Sequence, residues 1–321
     1  MNQTNRVVVI DNHILSTYEA CKRKGYYRDV LELVPNERGP ALGFGITLHA
    51  AREAYIREAL KSPAATVLDQ SFAVEAGLVA LRETWAKEMP EEYKDPAKFL
   101  DKRSLSNAEK LFRGYIAKYG PQDYVPMYVE VPFTVGLGVS LDGWEVVWSG
   151  IIDDLCRFDG GLYVVDLKTS SWPLGSTFFR NFRLSQQLMG YVFAARQIVS
   201  PDVIGAMIHG LWVHAEPIRK TTKTVPIDDY YKVDMYIWTD SQLEEWRTSV
   251  LSKVDEMQRA KLTEDFPMNL GQACSVYGKC SYQDLCLGSP EVRDRLIQLG
   301  YRHEKWDPIK QTEDLTTEEA A

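Results

Sequence analysis

The segment from Gly150 to Thr169, GIIDDLCRFDGGLYVVDLKT, strongly constrains how this chain folds. Two apolar runs flank the polar sequence FDGG, and Asp-Gly or Gly-Gly between such runs is typical of a β-hairpin. Side chains two apart in a strand point to the same face, so Asp166 and Lys168 share a face while Leu167 points away into a core. If the two strands pair, Asp153 comes beside Asp166.

Two carboxylates and one ammonium on a single sheet face are the minimum set for a metal-dependent phosphodiester hydrolase. Mg²⁺ and Mn²⁺ prefer hard oxygen ligands, which Asp153 and Asp166 supply, and the backbone carbonyl of Leu167 adds a third oxygen. Lys168 is placed to orient or deprotonate an attacking water and to offset phosphate charge. The alternative for this short pattern is a solvated strand end with a cross-strand ion pair.

Three further residues are candidates for the same site. His49 lies at the start of a predicted helix, where its imidazole would suit Mn²⁺ better than Mg²⁺. Gln187 and Tyr191 lie four residues apart on one helix face, and could grip a phosphate or a base edge, or hold Lys168. The alternative is an ordinary amphipathic helix with the tyrosine in the core. Glu130 is either a supporting residue of the site or simply exposed.

Some polar residues near these motifs are predicted to be structural. Asp154 has the opposite strand parity from Asp153, so it should not share the site. His209 and His214 fall in an apolar strand with mixed facing, and Cys156 is predicted to be a small buried residue inside the hairpin.

Three cysteines near the end of the chain, Cys274, Cys280 and Cys286, are evenly spaced, and Cys21 is a natural fourth ligand. Four thiolates are what a [4Fe–4S] cluster or a tetrahedral Zn²⁺ needs. Zinc sites usually contain close C-x-x-C pairs, so the wider spacing favours a cluster, with unligated cysteines as the alternative. Such a group would be structural, because it would close a very long loop.

Charge and composition restrict the setting in which the chain works. The net charge of -8 argues mildly against a nucleic-acid binder, but acidic residues concentrate in 311–321. Basic residues cluster locally, and the stretch 21–28 combines them with two tyrosines, which suits either phosphate contact or a solvated helix end. These local clusters include Arg180, Arg183, Arg219, Lys220 and Lys223. Five cysteines in 321 residues make no disulfide framework, and no membrane-spanning run or signal-peptide pattern is present, which predicts a cytoplasmic protein.

The order of predicted elements indicates an α/β or α+β core with a mixed sheet. A Gly- and Pro-rich loop over 37–45 precedes a helix from Ile46, and a second helix over 67–89 presents Phe72, Leu78, Leu81 and Trp85 on one face. A first helix is predicted to be capped by Asn12 or Ser16. The predicted divisions are an N-terminal segment, a helical region carrying His49, a core, a cysteine-bearing region and an acidic tail: 1–45, 46–125, 126–225, 226–300 and 301–321.

Taken together, these residues resemble the PD-(D/E)XK nuclease superfamily, in particular its RecB-like branch with an iron–sulfur staple. That branch includes AddB-type helicase-nucleases, CRISPR-associated RecB-like exonucleases and stand-alone phage proteins. His49 resembles the family's early histidine, and Gly150–Asp153 resembles its G-x-x-D strand. Asp166–Thr169 resembles the (D/E)-x-K-T strand, and Gln187–Tyr191 resembles the Q-x-x-x-Y helix. The family's four cysteines correspond to Cys21, Cys274, Cys280 and Cys286. One departure concerns the trio, which commonly begins with C-x-x-C, whereas five residues separate its first two cysteines here.

The resemblance implies a restriction-endonuclease-like core, a mixed central sheet flanked by helices, with a helical insertion and a C-terminal cysteine segment. It implies a Mg²⁺- or Mn²⁺-dependent DNA nuclease, an exonuclease on single-stranded ends. His49, Asp153, Asp166 and the Leu167 carbonyl would bind the metal, and Lys168, Gln187 and Tyr191 would complete the site. The alternatives are a catalytically inactive DNA-binding or recruitment subunit and a zinc staple. The sequence has no Walker motif, so a helicase or recombination partner would be a separate chain.

Overall fold

The computed structural model describes residues 6–37, 39–61, 67–95, 101–120, 124–214, 227–275 and 278–310. The predicted basic loop with Arg219, Lys220 and Lys223 and the acidic residues of 311–321 lie outside these ranges. The chain forms two compact units, each assembled from segments that are distant in sequence. Unit 1 comprises Met1–Glu37, Pro132–Ile151 and Asp240–Ala321, and unit 2 comprises Arg38–Val131 and Ile152–Thr239.

Helices and strands occur in consecutive groups along the chain. The α-helices are α1 Asn12–Ala20, α2 Lys22–Gly25, α3 Pro40–Lys61, α4 Val67–Glu88, α5 Glu91–Lys94, α6 Leu105–Lys118, α7 Ser176–Arg180, α8 Gln186–Ile198, α9 Asp240–Thr263, α10 Gln283–Leu287 and α11 Pro290–Gly300. The strands are β1 Arg6–Ile10, β2 Leu33–Pro35, β3 Val125–Val139, β4 Trp144–Phe158, β5 Gly161–Ser170, β6 Val203–Trp212, β7 Tyr231–Ile237 and β8 Tyr301–His303. A π-helical segment, Tyr26–Val30, and the 3₁₀ helices Ile227–Tyr230 and Gln272–Cys274 complete the described elements.

The predicted hairpin is present in unit 2, where β4 pairs antiparallel with β5 from Asp154 opposite Val165 to Phe158 opposite Gly161. Asp159 and Gly160 form its two-residue turn, with φ of 45° and 76°. Positive φ at both turn positions matches the right-handed twist of the strands, which is why Asp-Gly is favoured there. β6 is parallel to β5 and antiparallel to β7, and β3 pairs with β4, so the predicted mixed sheet is confirmed.

Helix α3 begins at Pro40, so the prediction of a loop over 37–45 and a helix from Ile46 is wrong. Proline is favoured in the first turn of a helix, where its missing N–H costs nothing. Gly43 is needed for close packing, since a Cβ there would lie 2.7 Å from the Glu88 carbonyl oxygen of α4. The Pro and Gly residues therefore mark a helix start and a helix–helix contact rather than a loop.

Helix α4 packs on α3 through Leu78, Leu81 and Trp85, all of which are buried as predicted. Phe72 does not belong to this face, because its side chain is 60% exposed. Six residues before Leu78, it lies about 120° around the helix axis from that residue, outside the buried stripe. Leu167 from β5 completes the same core, so its side chain points inward as the hairpin pattern predicts.

Unit 1 joins segments from both ends of the described chain. β1 runs parallel to the first part of β4, and β2 pairs antiparallel with β8 from Leu33 opposite His303. Helix α1 is capped by Asp11, whose carboxylate accepts a hydrogen bond from the Ile14 N–H at 2.8 Å, rather than by Asn12 or Ser16.

The basic-aromatic stretch 21–28 lies in the same unit, and its second half is buried. Tyr27 packs with Leu33, Tyr282 and Leu285, and the Arg28 guanidinium donates to the Glu304 carbonyl at 3.0 Å. These contacts favour a structural role for this end of the stretch. Among the described residues, no helix has the length and apolar character needed to cross a membrane.

Candidate active site

The shared face of β5 carries an acid and a base in direct contact. The Lys168 Nζ lies 3.0 Å from Asp166 Oδ1 and 2.9 Å from Asp166 Oδ2. The same ammonium donates to Gln187 Oε1 at 3.1 Å, and Gln187 Nε2 donates to the Tyr191 hydroxyl at 3.1 Å. The first turns of α8 therefore extend the pair on β5 into a chain of four hydrogen-bonded side chains.

His49 reaches the site from the middle of α3 rather than from its start. Its Nδ1 lies 3.0 Å from Asp153 Oδ2 on β4. The helix passes close to β5 one turn earlier, where a Cβ at Gly45 would lie 3.6 Å from the Thr169 hydroxyl. The hairpin register supplies the other half of the geometry, because Asp153 precedes Asp154 and Asp166 follows Val165, the partner of Asp154, so both acids lie next to the same residue pair. The structure thus brings both predicted carboxylates and the predicted histidine to one place.

Asp154 turns away from this place, as its strand parity predicts. It forms a fully buried ion pair with Arg52, whose Nε also donates to the Tyr115 hydroxyl at 2.8 Å. That hydroxyl lies 2.7 Å from His209 Nδ1. Burial and the nearby Arg52 charge hold the pKa of His209 well below its ordinary range, so its imidazole is neutral. His209 is therefore a structural residue, and His214 packs its ring against Trp212.

The two carboxyl groups of the site differ in their titration. Burial raises the pKa of Asp166 to about 6, with a further upward push from Asp153, although Lys168 opposes it. Burial also opposes ionisation of Asp153, but His49, Lys168 and Arg52 together lower its pKa to about 2. Burial would lower the pKa values of His49 and Lys168, yet the surrounding carboxylates outweigh it and both are raised. The site therefore combines Asp153, which is ionised at neutral pH, with Asp166, which gains or loses its proton near neutral pH.

Glu130 on β3 is a third acid of this environment, and the sequence left its role open. Burial, Asp153 and Glu53 raise its pKa to about 8. Its φ of 47° is in the left-handed region, which is costly for a residue with a side chain. No sequence pattern signals this conformation, because glutamate is not a residue that favours it.

The carboxylate oxygens of Asp153 and Asp166 are the type of ligand that a hard divalent cation prefers, although they pair here with His49 and Lys168. Asp153 Oδ2 and Asp166 Oδ2 are buried, and they lie 3.0 Å from His49 Nδ1 and 2.9 Å from Lys168 Nζ, respectively. Within the described ranges, no three His, Cys, Asp or Glu side chains are already arranged as a metal site. Ligation would require His49 and Lys168 to release these oxygens, which a divalent charge among three acids would favour.

The four predicted cluster cysteines belong to unit 1, and all are half-buried free thiols. The Asn269 N–H donates to Cys21 Sγ at 3.3 Å, and the Cys280 N–H donates to the Cys274 carbonyl at 3.0 Å. Burial raises the pKa of the Cys286 thiol, with Cys21 and Cys280 adding to the rise. Cys21 and Cys280 therefore act on the pKa of Cys286, but no three described cysteines are arranged as a metal site.

Comparison with known proteins supports the identity that this site suggests. The family model of the PD-(D/E)XK nuclease superfamily matches residues 13–287. A candidate exonuclease from Eubacterium rectale has a similar solved structure, at 17% identity and a TM-score of 0.47, over 86% of this chain and 92% of that one. The structure of SSO0001 is 9% identical with a TM-score of 0.31, over 87% of this chain and 95% of that one. No protein of curated function shows significant sequence similarity. The family match spans most of the chain, which therefore belongs to the PD-(D/E)XK nuclease superfamily.

Proposed function

We propose that the protein is a Mg²⁺- or Mn²⁺-dependent deoxyribonuclease that degrades DNA from single-stranded ends. The observation that carries the proposal is the convergence of His49, Asp153, Asp166 and Lys168 at one place in unit 2. An acid-rich, buried group of this kind within a PD-(D/E)XK fold supports phosphodiester hydrolysis. The preference for single-stranded ends follows the RecB-like resemblance of the motifs.

The metal would be held by His49, Asp153, Asp166 and the Leu167 carbonyl. When bound, Mg²⁺ or Mn²⁺ polarises a phosphate and lowers the pKa of a coordinated water. The protein's own part is to bring both carboxylates to one place, which the hairpin register does. Asp153 is ionised throughout the neutral range, whereas Asp166 must give up a proton that its raised pKa retains near pH 6.

Lys168 supplies a fixed positive charge rather than a base. Its raised pKa keeps the ammonium protonated at neutral pH, so it offsets phosphate charge and donates hydrogen bonds to water. Gln187 directs that ammonium by accepting a hydrogen bond from it, and Tyr191 fixes the Gln187 amide by accepting a hydrogen bond from its Nε2. This chain leaves Lys168 few alternative positions, which is the function of a supporting hydrogen-bond network.

The test is a cleavage assay on end-labelled single- and double-stranded DNA with Mg²⁺, Mn²⁺ or EDTA. Wild-type protein should cleave single strands only with metal, and Asp166→Asn and Lys168→Met should abolish cleavage while circular dichroism shows a folded protein. Undiminished cleavage by both variants would refute the assignment. DNA binding without cleavage under every metal condition would instead favour an inactive DNA-binding or recruitment subunit.

The cysteine group adds a second part to the proposal, a structural [4Fe–4S] cluster on Cys21, Cys274, Cys280 and Cys286. The donor chemistry supports it, since all four side chains are free thiols and two of them, Cys21 and Cys280, act on the third, Cys286. Anaerobic purification tests it directly: a brown protein with iron and sulfide supports the cluster, and a colourless protein containing zinc refutes it. We also propose that the protein is cytoplasmic and works beside a separate helicase or recombination partner.

A further inference from the structure

The connecting segment between Lys168 on β5 and Gln187 on α8 has an unusual composition. Acidic residues make up 45 of the 321 in the chain, yet none occurs between these two positions. The same stretch contains Arg180 and Arg183, both exposed. Asp228, Asp229 and Asp234 line the same pocket as Arg180 and Arg183, so this segment adds positive charge to a surface that also carries acids. A segment that contributes no acid of its own is compatible with a polyanion lying along it.

Trp172 is the residue of this connection that most needs an explanation. All eight tryptophans lie in the described ranges, and Trp172 alone is largely exposed, at 80%. A single exposed apolar side chain requires no special cause by itself. What distinguishes Trp172 is its place, since it follows Lys168 by four residues and its Cα lies within about 14 Å of the Lys168 Cα along the chain.

The backbone that carries this indole is held from both sides. The Ser170 hydroxyl donates to the Trp172 carbonyl at 2.8 Å and accepts from the Trp172 N–H at 3.1 Å. Pro173 restricts the backbone of Trp172, and Leu174 is anchored at 2% exposure. The exposed ring is therefore presented by a fixed turn. Because the turn is already ordered, less conformational entropy is lost when a partner binds to the ring.

Two cations hold the residue next to the indole. Lys102 Nζ donates to the Ser171 carbonyl at 2.5 Å, and Arg103 donates to the Ser171 hydroxyl at 2.7 Å. Asp101 pairs with Arg103, which leaves Lys102 without a described carboxylate partner. Burial and the Arg103 charge lower the pKa of Lys102, so an anion placed nearby would be favourable. An exposed aromatic face beside a cation is the combination that binds one base and its phosphate.

We propose that Trp172 is a stacking platform for an unpaired base of the DNA substrate, with Lys102 contacting the adjoining phosphate. The inference rests on the proposed nuclease function and adds to it the residue that selects single strands. A base inside a duplex is stacked on its neighbours and does not offer its face to an indole. Trp172 would therefore favour single-stranded DNA over duplex without reading its sequence.

The test measures binding of a fluorescein-labelled oligothymidylate by fluorescence anisotropy in EDTA, so that cleavage plays no part. Trp172→Ala should raise the Kd about 5- to 100-fold, as expected for the loss of one base–aromatic stack. Trp172→Phe, which keeps an aromatic face, should recover most of the affinity. The affinity for a blunt duplex should change little in either variant.

Leu184→Ala is the matched control, because Leu184 lies in the same connection and is 82% exposed but has no aromatic face. It should bind oligothymidylate like wild type. Equal affinity of Trp172→Ala and wild type, an equal loss in Leu184→Ala, an equal loss for duplex, or no binding of single strands at all would each overturn the proposal. The proposed function fails separately, through undiminished cleavage by Asp166→Asn and Lys168→Met.

Discussion

The candidate active site of unit 2 and the cysteine group of unit 1 are ordered in different ways. In unit 2, the position of each carboxylate follows from strand register, and Asp166 is 1% exposed on a strand paired on both sides. In unit 1, the cysteines are half-buried and lie in loops, short helices or at helix ends. The fold alone places the acids, whereas a bound group would have to draw the thiols together.

This contrast predicts that the two regions fail differently. Removing a charge from the strand face should affect chemistry and leave the fold intact, because the sheet does not depend on that charge. Removing a thiol should affect stability and leave the chemistry of folded molecules intact. Each experiment below tests whether this separation holds, beginning with the largest expected effect.

Two adjacent acids provide the sharpest test. Asp153→Asn should reduce kcat at least about a thousand-fold, since it removes a charge that would hold the metal, and should lower Tm in EDTA only modestly through the lost contact with His49. Asp154→Asn is its control on the opposite face: it breaks the buried pair with Arg52 and should destabilise the fold by about 3–5 kcal/mol. Cleavage assays and thermal unfolding on both variants check this, and a similar Tm loss in both would contradict the separation.

The cysteine region should show the reverse behaviour. Cys280→Ser or Cys286→Ser should lower the free energy of unfolding by roughly 4–5 kcal/mol, the size expected when a closure between distant segments is lost. Cleavage per folded molecule should persist. The buried Cys156, which lies outside the group, serves as the control, and Cys156→Ser should keep the iron or zinc content unchanged. Loss of metal in the control, or wild-type stability in the two variants, would contradict the cluster proposal.

The hydrogen-bonded chain on α8 should have an intermediate effect. Gln187→Ala removes the acceptor that directs Lys168 and should lower kcat about 10- to 100-fold, as for a residue that orients another. Tyr191→Phe should cost less, because it removes only the partner of the Gln187 amide. Gln186→Ala, one position away on the same helix, should retain normal kcat. Equal effects at 186 and 187 would mean that the helix, and not the contact to Lys168, is responsible.

The sequence predicted the hairpin because its signals are local. The Asp-Gly turn, the alternation of Asp166, Leu167 and Lys168, and the opposite parity of Asp153 and Asp154 all follow from neighbours within about twenty residues. The positions of these side chains in the structure agree with that reasoning. The shared face of Gln187 and Tyr191 on α8 was predictable for the same reason, because residues four apart on a helix lie on one face.

Features that depend on distant partners were missed or left open. The Arg52 contacts join residues far apart in sequence, and no periodicity reports the packing of Gly43 on α4. The left-handed backbone of Glu130 and the fixed exposure of Trp172 likewise arise from tertiary context. Local patterns therefore located the acid and lysine of the site, while the residues that support or extend it required the structure.

Stability against pH should distinguish the metal-free site from the metal-bound one. Asp166 and Glu130 have raised pKa values, about 6 and about 8, so the folded state binds their protons more tightly than the unfolded state. Their contribution to the free energy of unfolding therefore falls as pH rises from about 4 to about 8. Asp153, with a lowered pKa of about 2, loses its contribution only in strong acid.

A divalent metal competes with these protons, so it should raise Tm by several degrees more at pH 8 than at pH 6. Thermal unfolding in MnCl₂ and in EDTA at the two pH values measures the difference. Glu130→Gln should reduce the pH dependence of the EDTA series, because it removes the group with the highest of these raised pKa values. A metal-induced rise in Tm that is equal at both pH values would mean that these acids do not hold the ion.

Two glycines allow the same small change in each region. Gly160 closes the hairpin turn with φ of 76°, and Gly278 lies between Cys274 and Cys280 with φ of 96°. No described atom lies within 4 Å of a Cβ added at either position, so alanine should cost only its left-handed conformation, about 1 kcal/mol in each case. Gly160→Ala should leave kcat unchanged, because five residue pairs fix the hairpin register and Gly160 belongs to none of them. Gly278→Ala should lower iron retention during anaerobic gel filtration, since the thiols on either side of it depend on the local backbone. Equal iron retention in the two variants would show that the cysteine group is as fully ordered by the fold as the acids are.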